Sequence, residues 1–163
     1  MGDFTFHPGW GQLSARDQSD LIDFWVAEKA LPNADAARQR VAQVVLFARN
    51  EDGGDVAGVC TAIPQNPPLL AQPVYFYRSF IAPKNRKSLL VVQMLQKAVD
   101  FLEEDARAHE WPCIGVLLEL ENERFGSSAR MPVWRGLDFT YIGKSPRGLE
   151  CRIHWFQGAR LKP

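Results

Sequence analysis

The chain has 163 residues, the length of one ordinary globular domain. Its 46% hydrophobic and 23% charged content excludes a disordered chain, and a formal net charge of zero gives no whole-chain attraction for a polyanion. No apolar run approaches the roughly 20 residues of a membrane helix.

Charge is unevenly spread. Residues 1–71 carry 5 basic and 9 acidic side chains, and residues 72–163 carry 14 and 10. Cys60, Cys113 and Cys151 are odd in number and set in apolar runs, which suits reduced thiols in a cytoplasm, not a disulfide frame or a zinc site. The segment from Met1 to Phe6 lacks the basic start and apolar core of a signal peptide.

Phe4 to His7 reads as a short strand closed by Pro8-Gly9. Ser14-Ala-Arg-Asp17 resembles a capping box with Asp in place of Glu. Leu21, Phe24, Trp25 and Glu28 continue that helix at helical spacing, and Leu31-Pro32-Asn33 stops it. Asn33 or Asp35 opens a second short helix to about Gln43, with Ala37 and Val41 facing inward. Val44 to Ala48 is a strand, Glu51 to Asp55 a glycine-bearing turn, and Val56 to Ile63 an antiparallel return. Pro64 to Pro73 is too rich in proline for a helix or a central strand.

Val74 to Ile81 is a strand, aromatic on both faces. The basic loop Lys84-Asn85-Arg86-Lys87 follows Pro83, and an amphipathic helix runs from Ser88 to about Ala106. Its apolar stripe is Leu90, Val91, Met94, Leu95, Ala98, Phe101 and Leu102. A strand feeding a helix N-terminus through a basic loop suits an anionic phosphate, because free N–H groups and the helix dipole both favour negative charge. Ile114 to Leu120 is a continuous apolar run, the pattern of a strand buried on both faces. A short helix is expected from Ser127 to about Gly136. Phe139 to Gly143 and Leu149 to Phe156 form a last hairpin around Lys144-Ser-Pro-Arg-Gly148.

The order β-α-α-β-β-β-α-β-α-β-β predicts one domain over residues 1–163. The central helix between two apolar strands requires parallel neighbours, and the hairpins require antiparallel ones. The expected fold is α/β, a mixed six- to seven-stranded sheet with helices on both faces.

This order, with Ile81-Ala82-Pro83 ending the fourth strand and Arg86 in the following loop, resembles the GNAT superfamily of acyl-CoA-dependent N-acyltransferases over nearly the whole chain. The family loop has two glycines after its arginine. Here Lys87, Leu89 and Val91 stand in that neighbourhood, so backbone approach to a pyrophosphate must occur without them. Trp134-Arg-Gly-Leu-Asp-Phe139 aligns with the family's tyrosine followed by Leu-Gly-Phe. Trp134 replaces the tyrosine that commonly protonates the leaving thiolate, and Asp138 replaces the glycine. Asn122 resembles the family asparagine that contacts the cofactor. The resemblance implies acetyl-CoA or another acyl-CoA bound by Phe80, Ile81, Asn85, Arg86, Lys87, Ser88, Leu89, Leu90, Asn122 and Trp134. A backbone N–H near Ser79 to Ile81 would polarise the thioester carbonyl. It also implies direct attack by a small-molecule or peptide amine, with homodimers a frequent assembly. The scattered Trp, Phe and Arg residues form no nucleic-acid motif and no apolar run reaches membrane length, so neither nucleic acid nor membrane is expected as a partner.

Glu119 is the first candidate for general base, because a carboxyl embedded in Val116-Leu-Leu-Glu-Leu120 is the type that retains protons. Glu121 shares its face by period-2 alternation. The competing reading of Glu119 is a salt bridge to an arginine such as Arg78 or Arg124. Tyr77 is the second catalytic candidate, and Tyr75 shares its strand; both equally suit core aromatics. Histidine is the residue type that exchanges protons near neutral pH, but a single His154 on a strand reads as structural. Two alternatives to catalysis on acetyl-CoA stand beside it. One is a binding module of the same fold without turnover. The other is a transferase using longer chains or a carrier-protein thioester met by Lys84, Arg86 and Lys87.

Overall fold

The computed structural model describes residues 3–52, 54–121 and 130–163. Its elements are β1 (Phe4–Pro8), α1 (Ala15–Ala27), α2 (Ala34–Val41), β2 (Val44–Asn50), β3 (Val56–Gln65), β4 (Val74–Ile81), α3 (Leu90–Ala108), β5 (Gly115–Leu120), β6 (Val133–Trp134), β7 (Phe139–Lys144) and β8 (Glu150–Trp155). A single 3-10 turn, Pro83–Asn85, separates β4 from α3. The strands hydrogen-bond in the order β1-β2-β3-β4-β5-β8-β7-β6. Pairing of β4 with β5 is parallel, and β5–β8, β8–β7 and β7–β6 are antiparallel. The mixed sheet and helices match the expected class, with eight strands where six or seven were expected.

The chain divides into two compact units. One holds residues 1–62 and 78–101, the other residues 63–77 and 102–163. Strands β3 and β4 and helix α3 each contribute to both.

In the first unit, the helix starts follow local capping. Ser14 Oγ accepts from Asp17 N at 3.0 Å, and Asn33 Oδ1 accepts from Ala36 N at 2.9 Å. Leu21 and Trp25 of α1 and Ala37 of α2 bury against Val44, Phe47, Val56 and Val59 on one sheet face. The other face meets α3: a Cβ on Gly58 would stand 2.7 Å from Ile81 Cδ1 and 3.2 Å from Met94 Cε. Helices therefore cover both faces, as expected.

In the second unit, Val74, Phe76, Ile114, Leu117, Cys151 and Ile153 form a core on one face. Tyr75, Leu118, Arg152 and His154 alternate onto the other. At the start of β5, Gly115 leaves room for His154 O of β8, which a Cβ would meet at 2.6 Å.

Two boundaries differ from the sequence reading. β3 continues through Pro64 to Gln65, whose side chains are exposed. Of the helix expected over residues 127–136, the described residues show helical backbone only at Arg130, in a 3-10 turn; Val133 and Trp134 form β6 instead, paired with Thr140 and Phe139. Residues 122–129 lie outside the described residues. Val and Trp are strand formers, and Pro132 has no N–H to extend a helix.

Candidate functional site

The bend between β4 and α3 is built locally. Pro83 opens the 3-10 turn, and Asn85 N and Arg86 N donate to Ala82 O and Pro83 O. Ser88 N donates to Asn85 O at 3.1 Å, and Ser88 Oγ donates to the same carbonyl at 2.6 Å. Ser88 Oγ also accepts from Leu90 N at 3.2 Å and caps α3, which begins two residues later than expected. The amides of Asn85, Arg86, Ser88 and Leu90 are thus turned inward, which corrects the expectation that the whole of 85–90 presents free N–H groups. Among the described residues, the amides of Lys87 and Leu89 have no such acceptor.

The side chains divide in the same way. Lys84 Nζ lies 3.7 Å from Asp55, and Asn85 Nδ2 donates to Asn50 Oδ1 at 3.1 Å, so the β2–β3 turn ties down the first half of the bend. Arg86 Nε donates to Ile81 O at 3.2 Å, and its guanidinium covers the Phe80 ring at 5.5 Å. Lys87 is exposed and makes no ion pair among the described residues; Leu89 is 70% exposed. Leu90 is buried and faces the core. The cationic, amide-donating part of the bend is therefore Lys87–Leu89. Asp55, read only as part of a turn in the sequence, and Asn50, which the sequence reading did not single out, position it; their proximity comes from the pairing of β2 with β3.

In the second unit, β5 carries Glu119 with a 13% exposed side chain. Arg147 Nη1 lies 2.7 Å from Glu119 Oε1 and 3.2 Å from Glu121 Oε1. Hydrogen bonding to Glu121 and the charge of Glu119 hold the Arg147 guanidinium above its usual range. The salt-bridge reading of Glu119 is realised, but with Arg147 of the basic hairpin turn rather than Arg78 or Arg124. Arg78 instead lies near Arg40, whose guanidinium is held below its usual range by burial first and by Arg78 second; Arg124 lies outside the described residues.

Tyr77 is buried and pairs with Leu118, whereas Glu119 is the next residue on β5 and points to the opposite face. The two proposed catalytic residues do not meet, because adjacent strand positions alternate. Tyr75 is buried as well. Burial, then the Cys113 thiol and the Asp105 carboxylate, push its hydroxyl up to about 12. His154 Nδ1 lies 3.2 Å from both Leu137 O and Asp138 O, and a carbonyl only accepts, so this nitrogen carries the proton.

No family model and no curated protein matches the chain. Solved structures do. The ribosomal-protein-S5-alanine acetyltransferase from Vibrio fischeri superposes with a TM-score of 0.64 at 9% identity, covering 98% of this chain and 96% of its own. A GNAT-family acetyltransferase from Streptococcus pneumoniae gives 0.64 at 11%, covering 94% and 99%. An aminoglycoside 6'-N-acetyltransferase complexed with coenzyme A gives 0.58 at 11%, covering 96% and 99%. The fold is that of the GNAT acetyltransferases.

Within that fold, two departures from the usual pattern have structural counterparts. Asp138, where the family has glycine, adopts φ 56°, a left-handed conformation that aspartate tolerates. Trp134, where the family has tyrosine, lies on β6 rather than on a helix. The buried Arg152 guanidinium stacks over its ring at 4.4 Å, and Arg152 Nε is 2.7 Å from Glu150 Oε2. The sequence reading missed Arg152; its place between Cys151 and Ile153 on the last strand was the available signal. Asn122, the other cofactor candidate, lies outside the described residues. Two cavities, of about 200 and 190 Å³, contain none of the candidate residues.

Proposed function

We propose that this chain is an acyl-CoA-dependent N-acyltransferase acting on a small-molecule or peptide amine. The observation that carries the reading is the β4–α3 bend of a GNAT fold, with the exposed Lys87 and the unclaimed amides of Lys87 and Leu89 at its centre. Two N–H donors beside an ammonium suit a phosphate oxygen, so these residues fit coenzyme A. Acyl-CoA, when bound, supplies a thioester whose acyl carbon accepts the amine lone pair as the C–S bond breaks and the thiol leaves with the proton of the attacking nitrogen. Glu119 is the carboxylate that would first take one proton from the acceptor ammonium and later release it to solvent. Tyr77, on the other face, would line or shape the site without sharing that proton. Three buried free thiols suit a reducing cytoplasm.

The carrier-protein reading loses support, because Lys84 is engaged by Asp55 and Arg86 folds onto Phe80. Binding without turnover keeps support from the Arg147 guanidinium on Glu119 and from Trp134 in place of tyrosine. Thiol release from acetyl-CoA, assayed with spermidine, an aminoglycoside and an alanine-terminated peptide, separates the two. Amine-dependent release that falls at least about tenfold in Glu119→Gln is expected for the transferase. Cofactor binding without any amine-dependent release would leave only the binding module.

A further inference from the structure

The hairpin turn between β7 and β8 is closed on itself. Ser145 N donates to Leu149 O and Gly148 N to Ser145 O, each at 2.8 Å, and Gly148 takes φ 77°. A register shift between Tyr141 and Gly143 twists the hairpin just before this tip. From the tip, the Arg147 side chain reaches out to Glu119 on β5, the strand paired with β8, and to Glu121 just beyond the end of β5. The three charges are unequally placed. The Arg147 and Glu121 side chains are 61% and 70% exposed, whereas Glu119 is 13% exposed.

We propose that Arg147 is an electrostatic latch: it pins the hairpin tip to β5 and covers the Glu119 carboxylate, which becomes accessible when the tip swings out. This rests on the transferase reading only for its consequence, since a carboxylate engaged by a guanidinium must be released before it can take the acceptor's proton. The carboxylates facing Arg147 are Glu119 of β5 and Glu121, the first residue after it. Lys144, Glu150 and Cys151 flank the hairpin stem, with Glu119 opposite Cys151 in the β5–β8 ladder. Burial, then the Glu119 and Glu150 charges, keep the Cys151 thiol above its usual range, so it stays neutral and adds no charge there. With one partner largely in solvent, the pair holds Glu119 only loosely, which is what a latch that opens on ligand approach or on added salt requires.

The test reads accessibility directly. Glu119 is labelled with a water-soluble carbodiimide and glycinamide, and the modified peptide is quantified by mass. The expected result is labelling about threefold faster in Arg147→Gln than in the wild type, and a similar gain for the wild type in about 0.5 M NaCl that the variant does not show. Equal rates for wild type and variant overturn the latch, as does a wild-type rate indifferent to salt. In the same proteins, amine-dependent thiol release from acetyl-CoA is expected to rise in Arg147→Gln at low salt. Unchanged or lower release alongside faster labelling overturns the restraint on catalysis. Absence of release from every protein, with the labelling difference intact, overturns the transferase reading and leaves the latch standing.

Discussion

Arg152 shows how a single charge can be buried and still be tolerated. Its side chain is 1% exposed, and its charge is met by Glu150 at 2.7 Å and by the face of Trp134 at 4.4 Å. Glu150 is 33% exposed and can rehydrate if left alone; Arg152 cannot. The two halves of the pair should therefore respond unequally to removal. Glu150→Ala takes a hydrogen-bonded carboxylate from a buried guanidinium that cannot move into water and is expected to cost about 3 kcal/mol, whereas Arg152→Met keeps the apolar stem and is expected to cost about 1 kcal/mol. Urea unfolding of both variants checks the order, and a larger loss in Arg152→Met would overturn this account.

At the level of elements, α1 is fastened to β2 by Arg49 Nη2, which lies 2.8 Å from both Asp17 Oδ1 and Asp20 Oδ2. Burial pushes the Asp17 carboxyl up, but hydrogen bonds from Arg49 and Ser14 outweigh it and hold the group below its usual range. A carboxyl lowered by folding stabilises the native state fully above its unfolded value. That contribution fades as pH falls through about 4 and is gone below the folded value. Thermal melts from pH 7 down to pH 3 should show Asp17→Asn destabilised at neutral pH and converging on the wild type in acid; a constant gap would count against it. The caps of α1 and α2 were legible in the sequence because capping is decided within three residues. β6 was not, since Val133 and Trp134 become a strand through Thr140 and Phe139 beyond a turn. The partner of Glu119 was equally hidden: Arg147 lies 28 residues away and reaches it only because β8 pairs with β5.

For the molecule as a whole, element order and hydrophobic period were enough to place the strand–bend–helix unit, but not to say which of its amides face outward. That was settled by which groups the Ser88 hydroxyl bonds and by Asn50 at the end of β2, a contact that the loop's own sequence does not encode. Within residues 85–90, the Lys87 and Leu89 amides and the Lys87 ammonium are the described groups left for an anion, so the phosphate contact is narrow and its energetic signature should be local. A ligand that binds the native state alone stabilises it by about 2.7 kcal/mol at a hundred times its Kd. For a chain of this length that is a rise in Tm of roughly 5–10 °C. Coenzyme A is expected to produce such a shift in the wild type and a clearly smaller one in Lys87→Glu, whose ligand-free Tm should match the wild type because the side chain is exposed. Glu119→Gln should keep the full shift, since Glu119 is engaged by Arg147 and takes no part in the bend. ATP is the control: an equal shift with ATP would mean that the bend reads polyphosphate in general. No shift with about millimolar coenzyme A would remove the cofactor, and the acyl-transfer reading with it.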